Sequence, residues 1–113
     1  MIKWLVFAGL LAAMPEARAE VDLASGNFML KSCQSFIDQS GTDSLHAGLC
    51  AGQIKTILHF SKIMPIRFCT PSGSTLGQSI RVTVSFMQRH PERLHEDFYF
   101  LALSALSEAW PCK

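Results

Sequence analysis

Four cysteines, Cys33, Cys50, Cys69 and Cys112, constrain this chain more than any other feature, because all four lie beyond an N-terminal export signal. Lys3 supplies the positive end of that signal and Trp4 to Met14 its apolar run. Ala17-Arg18-Ala19 is the small-x-small pattern at which such signals are cut. The run is too short for a membrane anchor: at ~1.5 Å per residue it spans about half of a ~30 Å hydrocarbon core. Cleavage after Ala19 leaves residues 20–113, a single domain in length, in an oxidising compartment. An even number of cysteines in a short exported chain reads as a disulfide framework. A zinc site is the competing use, but no two of these cysteines stand two to four residues apart, as zinc ligands usually do.

Turn-forming residues divide the exported part into four helical blocks, with no repeat, low-complexity stretch or interdomain linker. The first covers about 27–39, where Met29, Cys33, Phe36 and Ile37 recur at helical spacing and Ser25 or Asn27 is available as N-cap. The second covers about 44–63, with Cys50, Ile54, Ile57, Leu58 and Ser61 on one face. Gly48 and Gly52 sit inside it, each costing ~1 kcal/mol of helix propensity relative to Ala; they read as a smooth strip for another helix to approach. The third begins in the stretch Phe68 to Gln78, which is rich in Pro, Gly and hydroxyls. There Thr75 and Gln78 have the spacing of a capping box, followed by the stripe Leu76, Ile80, Val84 and Met87. The fourth opens with Pro91-Glu92, a proline suited to the first helical position, and ends before Pro111. Leu94, Phe98, Leu101, Ala102, Ala105 and Ala109 make one of its faces. Tyr99, Leu103, Leu106 and Trp110 make a second, nearly opposite one. The fold class expected is therefore all-α, a small disulfide-stapled four-helix bundle.

This layout predicts the pairing of the cysteines. Two helices joined by a short turn pack antiparallel, which puts Cys33 and Cys50 at the same height across the first hairpin. Cys69 lies just before the third block and Cys112 just after the fourth, so the outer ends of the second hairpin bring them together. Cys50–Cys69 would need a chain leaving mid-helix to return within a few residues. By loop-closure entropy, the bonds Cys33–Cys50 and Cys69–Cys112 contribute about 3 and 4 kcal/mol.

Removing Lys3, Arg18 and Glu16 with the signal turns the ten Lys/Arg and nine Asp/Glu of the sequence into eight of each. A neutral chain is a poor ligand for nucleic acid or an anionic membrane, both of which need a basic surface. No nucleophile elbow, H-E-x-x-H or phosphate loop is present, and disulfide bonding removes the thiol nucleophiles. His90 and His95 with Glu92, Glu96 and Asp97 are more simply a solvated first turn than a metal site. An enzyme, a metal and a cofactor are thus not expected. Two apolar features exceed what a small bundle needs. Tyr99, Leu103, Leu106 and Trp110 either fill a broad core or form a dimer or partner interface. The connection Ile63, Met64, Pro65, Ile66, Arg67 and Phe68 either folds back on the core or contacts another protein.

Five ordered landmarks also carry a family resemblance: S-G-N-F-M-L from Ser25, C-x-G-x-I from Cys50, and F-C-x-P-x-G-x-T-x-x-Q from Phe68, followed by H-P-E-R-L-H from His90 and A-L-x-x-A-W-P-C from Ala105. Together they resemble the periplasmic immunity proteins of type VI secretion systems, the Rap/Tai amidase-immunity family. The resemblance implies a helical periplasmic protein, often a homodimer, that blocks the cleft of a peptidoglycan amidase effector without catalysis or cofactor. Gln53, Thr56 and Trp110 depart from the usual residues of that family. Two alternatives remain. The family's fold is similar to that of HdeA-type acid chaperones, which expose apolar surface at low pH, and a bundle enclosing a cavity could carry a lipid or other apolar ligand.

Overall fold

A computed structural model of the chain describes residues 22–38 and 44–113. The expected export signal and the expected turn around Gly41 lie outside the described residues. Among those described there are four helices and no strand: α1 Gly26–Asp38, α2 Ser44–His59, α3 Leu76–Arg89 and α4 Phe98–Ala109. Helix α1 packs chiefly on α2 and α3 on α4, while α1 and α2 both also meet α3. The helices enclose one core built from Met29, Ile54, Ile80, Met87, Phe98 and Leu101, each without solvent exposure.

Both cross-links form as the helix layout predicts. Cys33 bonds Cys50 and Cys69 bonds Cys112, each with Cα atoms 5.0 Å apart, inside the usual disulfide range. The second bond is reinforced by the backbone, because the Cys69 amide donates to the Trp110 carbonyl at 2.8 Å. Pro111 has the predicted effect on its neighbour: Trp110 leaves helical geometry at φ −132°, ψ 67°. The capping box at α3 is complete. The Gln78 amide donates to Thr75 Oγ1 at 3.2 Å, and the Thr75 amide donates to Gln78 Oε1 at 2.7 Å.

The second and fourth blocks differ from their expected bounds. Helix α2 stops at His59, and Ser61–Ile63 form a separate 3₁₀ turn. Pro65 bars any return to helix after that turn, since it disfavours helical geometry at Met64, which is extended at φ −72°, ψ 147°. The fourth block does not begin as a helix at Pro91. Pro91–Arg93 is a 3₁₀ turn, and α4 starts at Phe98, where the Asp97 carboxylate accepts from the Tyr99 amide at 2.8 Å. The reason is a competition for carbonyls. In a continuous helix the Leu94 carbonyl would accept from the Phe98 amide. Here it accepts from Asn27 at 2.8 Å, the Glu96 carbonyl accepts from Gly26 at 2.9 Å, and the Phe98 amide donates to Ala24 at 2.7 Å.

The chain before α1 is thereby clasped to the segment before α4, and each supplies partners for amides that a helix start leaves unpaired. Ser25 completes the α1 cap by accepting from Phe28 at 3.3 Å. Gly26 is required for the close approach. A Cβ there would press on Leu101 Cδ1 and lie 2.9 Å from the Leu94 carbonyl oxygen.

Candidate protein-docking surface

Helix α4 settles which of its two apolar faces is surface. Leu103 and Leu106 have no solvent exposure, like Leu101 and Ala102 on the opposite side. The helix buries both apolar faces and leaves Phe100, Glu108 and Ala109 exposed, so its second face is core. Leu103 and Leu106 are therefore not available to a partner in this fold. Trp110 and Tyr99 are half-buried against the core.

The connection after α2 divides in the same way. Phe68 is buried and anchors the end of the segment, next to Cys69. Ile63 is 78 % exposed. Pro65 and Arg67 are also exposed, and Met64 and Ile66 are half-buried. Met64 is held from above by Tyr99, whose hydroxyl donates to Met64 Sδ at 2.8 Å. Thus the structure joins Met64 and Tyr99 into one surface, leaves Ile63, Pro65 and Arg67 at its margin, and withdraws Phe68, Leu103 and Leu106 into the core.

That surface is a shallow open groove of about 260 Å³, lined by Gly52, Gln53, Thr56, Ile57, Met64 and Tyr99. A second groove shares Gly52 and Thr56 and continues over Lys55, His59 and Phe60. The common strip along α2 is bare. Among the described residues no atom lies within 4 Å of where a Cβ would stand at Gly48 or Gly52, so none of the described helices uses the approach those glycines permit. Thr56, one further turn along, keeps its hydroxyl on its own helix by donating to the Gly52 carbonyl at 2.9 Å. Two aromatic side chains missed by the sequence pattern extend the apolar surface. Phe60 and Phe100 are each about half exposed, and the Phe100 ring lies 5.2 Å from that of Tyr99. Phe60 directly follows α2 and Phe100 lies in the first turn of α4, so each adjoins a stretch rich in buried apolar residues.

The surroundings of the groove are basic. Lys55 lines it, and Lys62 and Arg67 bracket the Ile63–Ile66 segment. None of the three takes part in an ion pair among the described residues. The paired charges lie elsewhere, around the turn before α4. Arg93 donates to Glu96 at 2.8 and 3.0 Å, which holds the Glu96 carboxyl below its ordinary value and the guanidinium above its own. The Glu92 carboxyl is lowered by its hydrogen bond to backbone and then by His90, 3.2 Å away. Arg89 meets Glu108 at 3.0 Å, and both Arg89 and Arg93 lie over the Phe86 ring. These contacts give the H-P-E-R-L-H stretch a structural role. No group of three metal-ligating side chains occurs among the described residues, and none of the described helices is long and apolar enough to cross a membrane.

A family model, that of the Rap1a immunity proteins, matches residues 25–112. The match starts at the Ser25 cap and ends at Cys112, so it spans the clasp, both cross-links and the groove. No curated protein and no solved structure matches the chain.

Proposed function

The chain belongs to the Rap1a immunity protein family, and from that premise we propose that it binds a type VI secretion effector, a peptidoglycan amidase, and blocks its active cleft in the periplasm. The observation that carries the reading is the bare groove on α2. Soluble domains seldom leave an aromatic-edged apolar surface open unless something docks on it, and immunity requires such a surface. In this reading the two staples keep the surface rigid before contact, which lowers the ordering cost of binding. The reading includes a homodimer, which the family resemblance implies and sedimentation of the purified chain tests.

The functional test is co-expression, in the periplasm of a sensitive host, with a candidate cell-wall hydrolase effector. Rescue of growth is expected. Ile63→Ser, Pro65→Ser and Arg67→Ser together, all at exposed positions, should abolish rescue while leaving the folded protein present at wild-type level. Phe68 is kept, because it is core and its loss would confuse contact with folding. Full rescue by the triple variant would remove the connection after α2 from the contact, and no rescue by the wild-type chain would count against that hydrolase as its target.

A further inference from the structure

We infer that the groove on α2 receives an acidic segment of the partner protein with an apolar tip, and that it does not receive a second copy of this chain. The inference rests on the immunity reading and deepens it by naming the chemistry of the contact.

Charge distribution decides between the two occupants. From Ser44 to Pro91 the sequence holds no Asp or Glu, yet it carries Lys55, Lys62, Arg67, Arg81 and Arg89. The near-neutral total conceals this segregation. Helix α2 and the connection after it form most of the groove, so its surroundings hold cations without internal counter-charges. The acids on the α4 side are already engaged. Asp97 accepts from the Tyr99 amide, Glu96 from Arg93 and Glu108 from Arg89, while Glu92 faces His90.

Symmetry then argues against self-association here. A two-fold contact apposes the same patch from each subunit. Lys55, Lys62 and Arg67 of one copy would meet the same set in the other, and no carboxylate is among the residues that line either groove. A partner carrying carboxylates has the opposite balance, with attraction at the rim and apolar burial at the centre. The floor suits a projecting side chain: Ile57 and Met64 are apolar, and the bare backbone at Gly48 and Gly52 lets the partner's main chain come close.

The oxidised full chain is mixed with the purified candidate hydrolase of the co-expression test, and the dissociation constant and association rate are measured at ~50 and ~300 mM salt. Replacing Lys55, Lys62 and Arg67 by Glu should slow association at least ~tenfold at the lower salt and remove most of the salt dependence. Gly52→Leu should weaken binding at least ~tenfold with no loss of thermal stability. Wild-type binding matched within twofold by both variants would overturn the inference and leave the immunity reading standing. Absence of wild-type binding would count against the immunity reading with that hydrolase.

The groove is then judged directly by titrating the isotopically labelled chain with two hexapeptides, Leu-Phe flanked on each side by two glutamates or by two lysines. Amide shifts at Gly48, Gly52, Thr56 and Tyr99 with the acidic peptide alone support the inference. Equal shifts with both, no shifts there, or the same shifts with oligothymidylate would overturn it. So would a dimer of this chain that Gly52→Leu dissociates.

Discussion

Alanine at Gly52 separates the bareness of the strip from every other property of α2. In a helix interior, glycine is about 1 kcal/mol less favourable than alanine because it loses more backbone freedom on folding. The added Cβ would meet nothing within 4 Å. Nor does Gly52 need glycine's dihedral range, since Gly73 alone has positive φ among the described glycines. Gly52→Ala should therefore stabilise the chain by about 1 kcal/mol, which for a domain of this size raises the midpoint of thermal unfolding by about 4–8 °C. Adding Gly48→Ala, equally uncovered, should bring the total to about 2 kcal/mol. Gly26→Ala is the opposite case, because the same methyl group would collide with Leu101 and the Leu94 carbonyl. It should destabilise by about 1–3 kcal/mol. Urea unfolding of the oxidised protein reads all three, with the midpoint moving and the slope unchanged. A neutral or destabilising Gly52→Ala in dilute protein would refute the reasoning, since it would mean that something covers the strip in solution.

The remaining predictions concern the scaffold. Cys69→Ala with Cys112→Ala should cost about 4 kcal/mol and Cys33→Ala with Cys50→Ala about 3, read by urea unfolding, because the loop released is longer in the first pair. Leu103→Ala should destabilise by about 2–5 kcal/mol, also read in urea, as a side chain with no solvent exposure requires; a near-neutral result would return that residue to the surface. Acid should weaken the fold through Glu92 and Glu96, whose carboxyls are lowered from 4.5. Their contribution is complete above that value and is lost as pH falls through the lowered ones. A urea midpoint followed from pH 7 to 3 should decline less steeply in Glu96→Gln than in the wild-type chain.

What the sequence revealed depended on the range of the interactions involved. The Thr75–Gln78 box was legible because both partners lie within one turn. The pairing Cys33–Cys50 needed only the height of each residue along a hairpin. The break before α4 was not legible, because the carbonyls of Leu94 and Glu96 are taken by amides at Asn27 and Gly26, far back in the chain. A local reading of Pro91-Glu92 sees a good helix start and has no access to that competition. Leu103 and Leu106 fail for a related reason. Apolar residues on two sides of a helix describe equally well a central helix and one with a spare face, and the packing of α1, α2 and α3 around α4 decides between them.

The groove was half visible, and the half that was missed shows how function can be hidden by averaging. Ile63 and Met64 stood out as apolar residues beside a loop proline. Gly48 and Gly52 stand out as glycines inside a helix that offer a smooth strip for another helix to approach, and none of the described residues of this chain comes near them. Whole-chain charge argued against a basic surface, yet the acid-free run from Ser44 to Pro91 was present in the same residues. A neutral total forbids a uniformly basic protein; it does not forbid a basic face balanced by acids on another. In this bundle Glu92, Glu96, Asp97 and Glu108 before and on α4 are engaged, while Lys55, Lys62 and Arg67 on and after α2 make no ion pair among the described residues. Two helix-weakening glycines retained on the unpaired face would be a defect in an isolated bundle. Beside free cations and an open apolar floor, they are what a surface needs if another backbone is to lie against it.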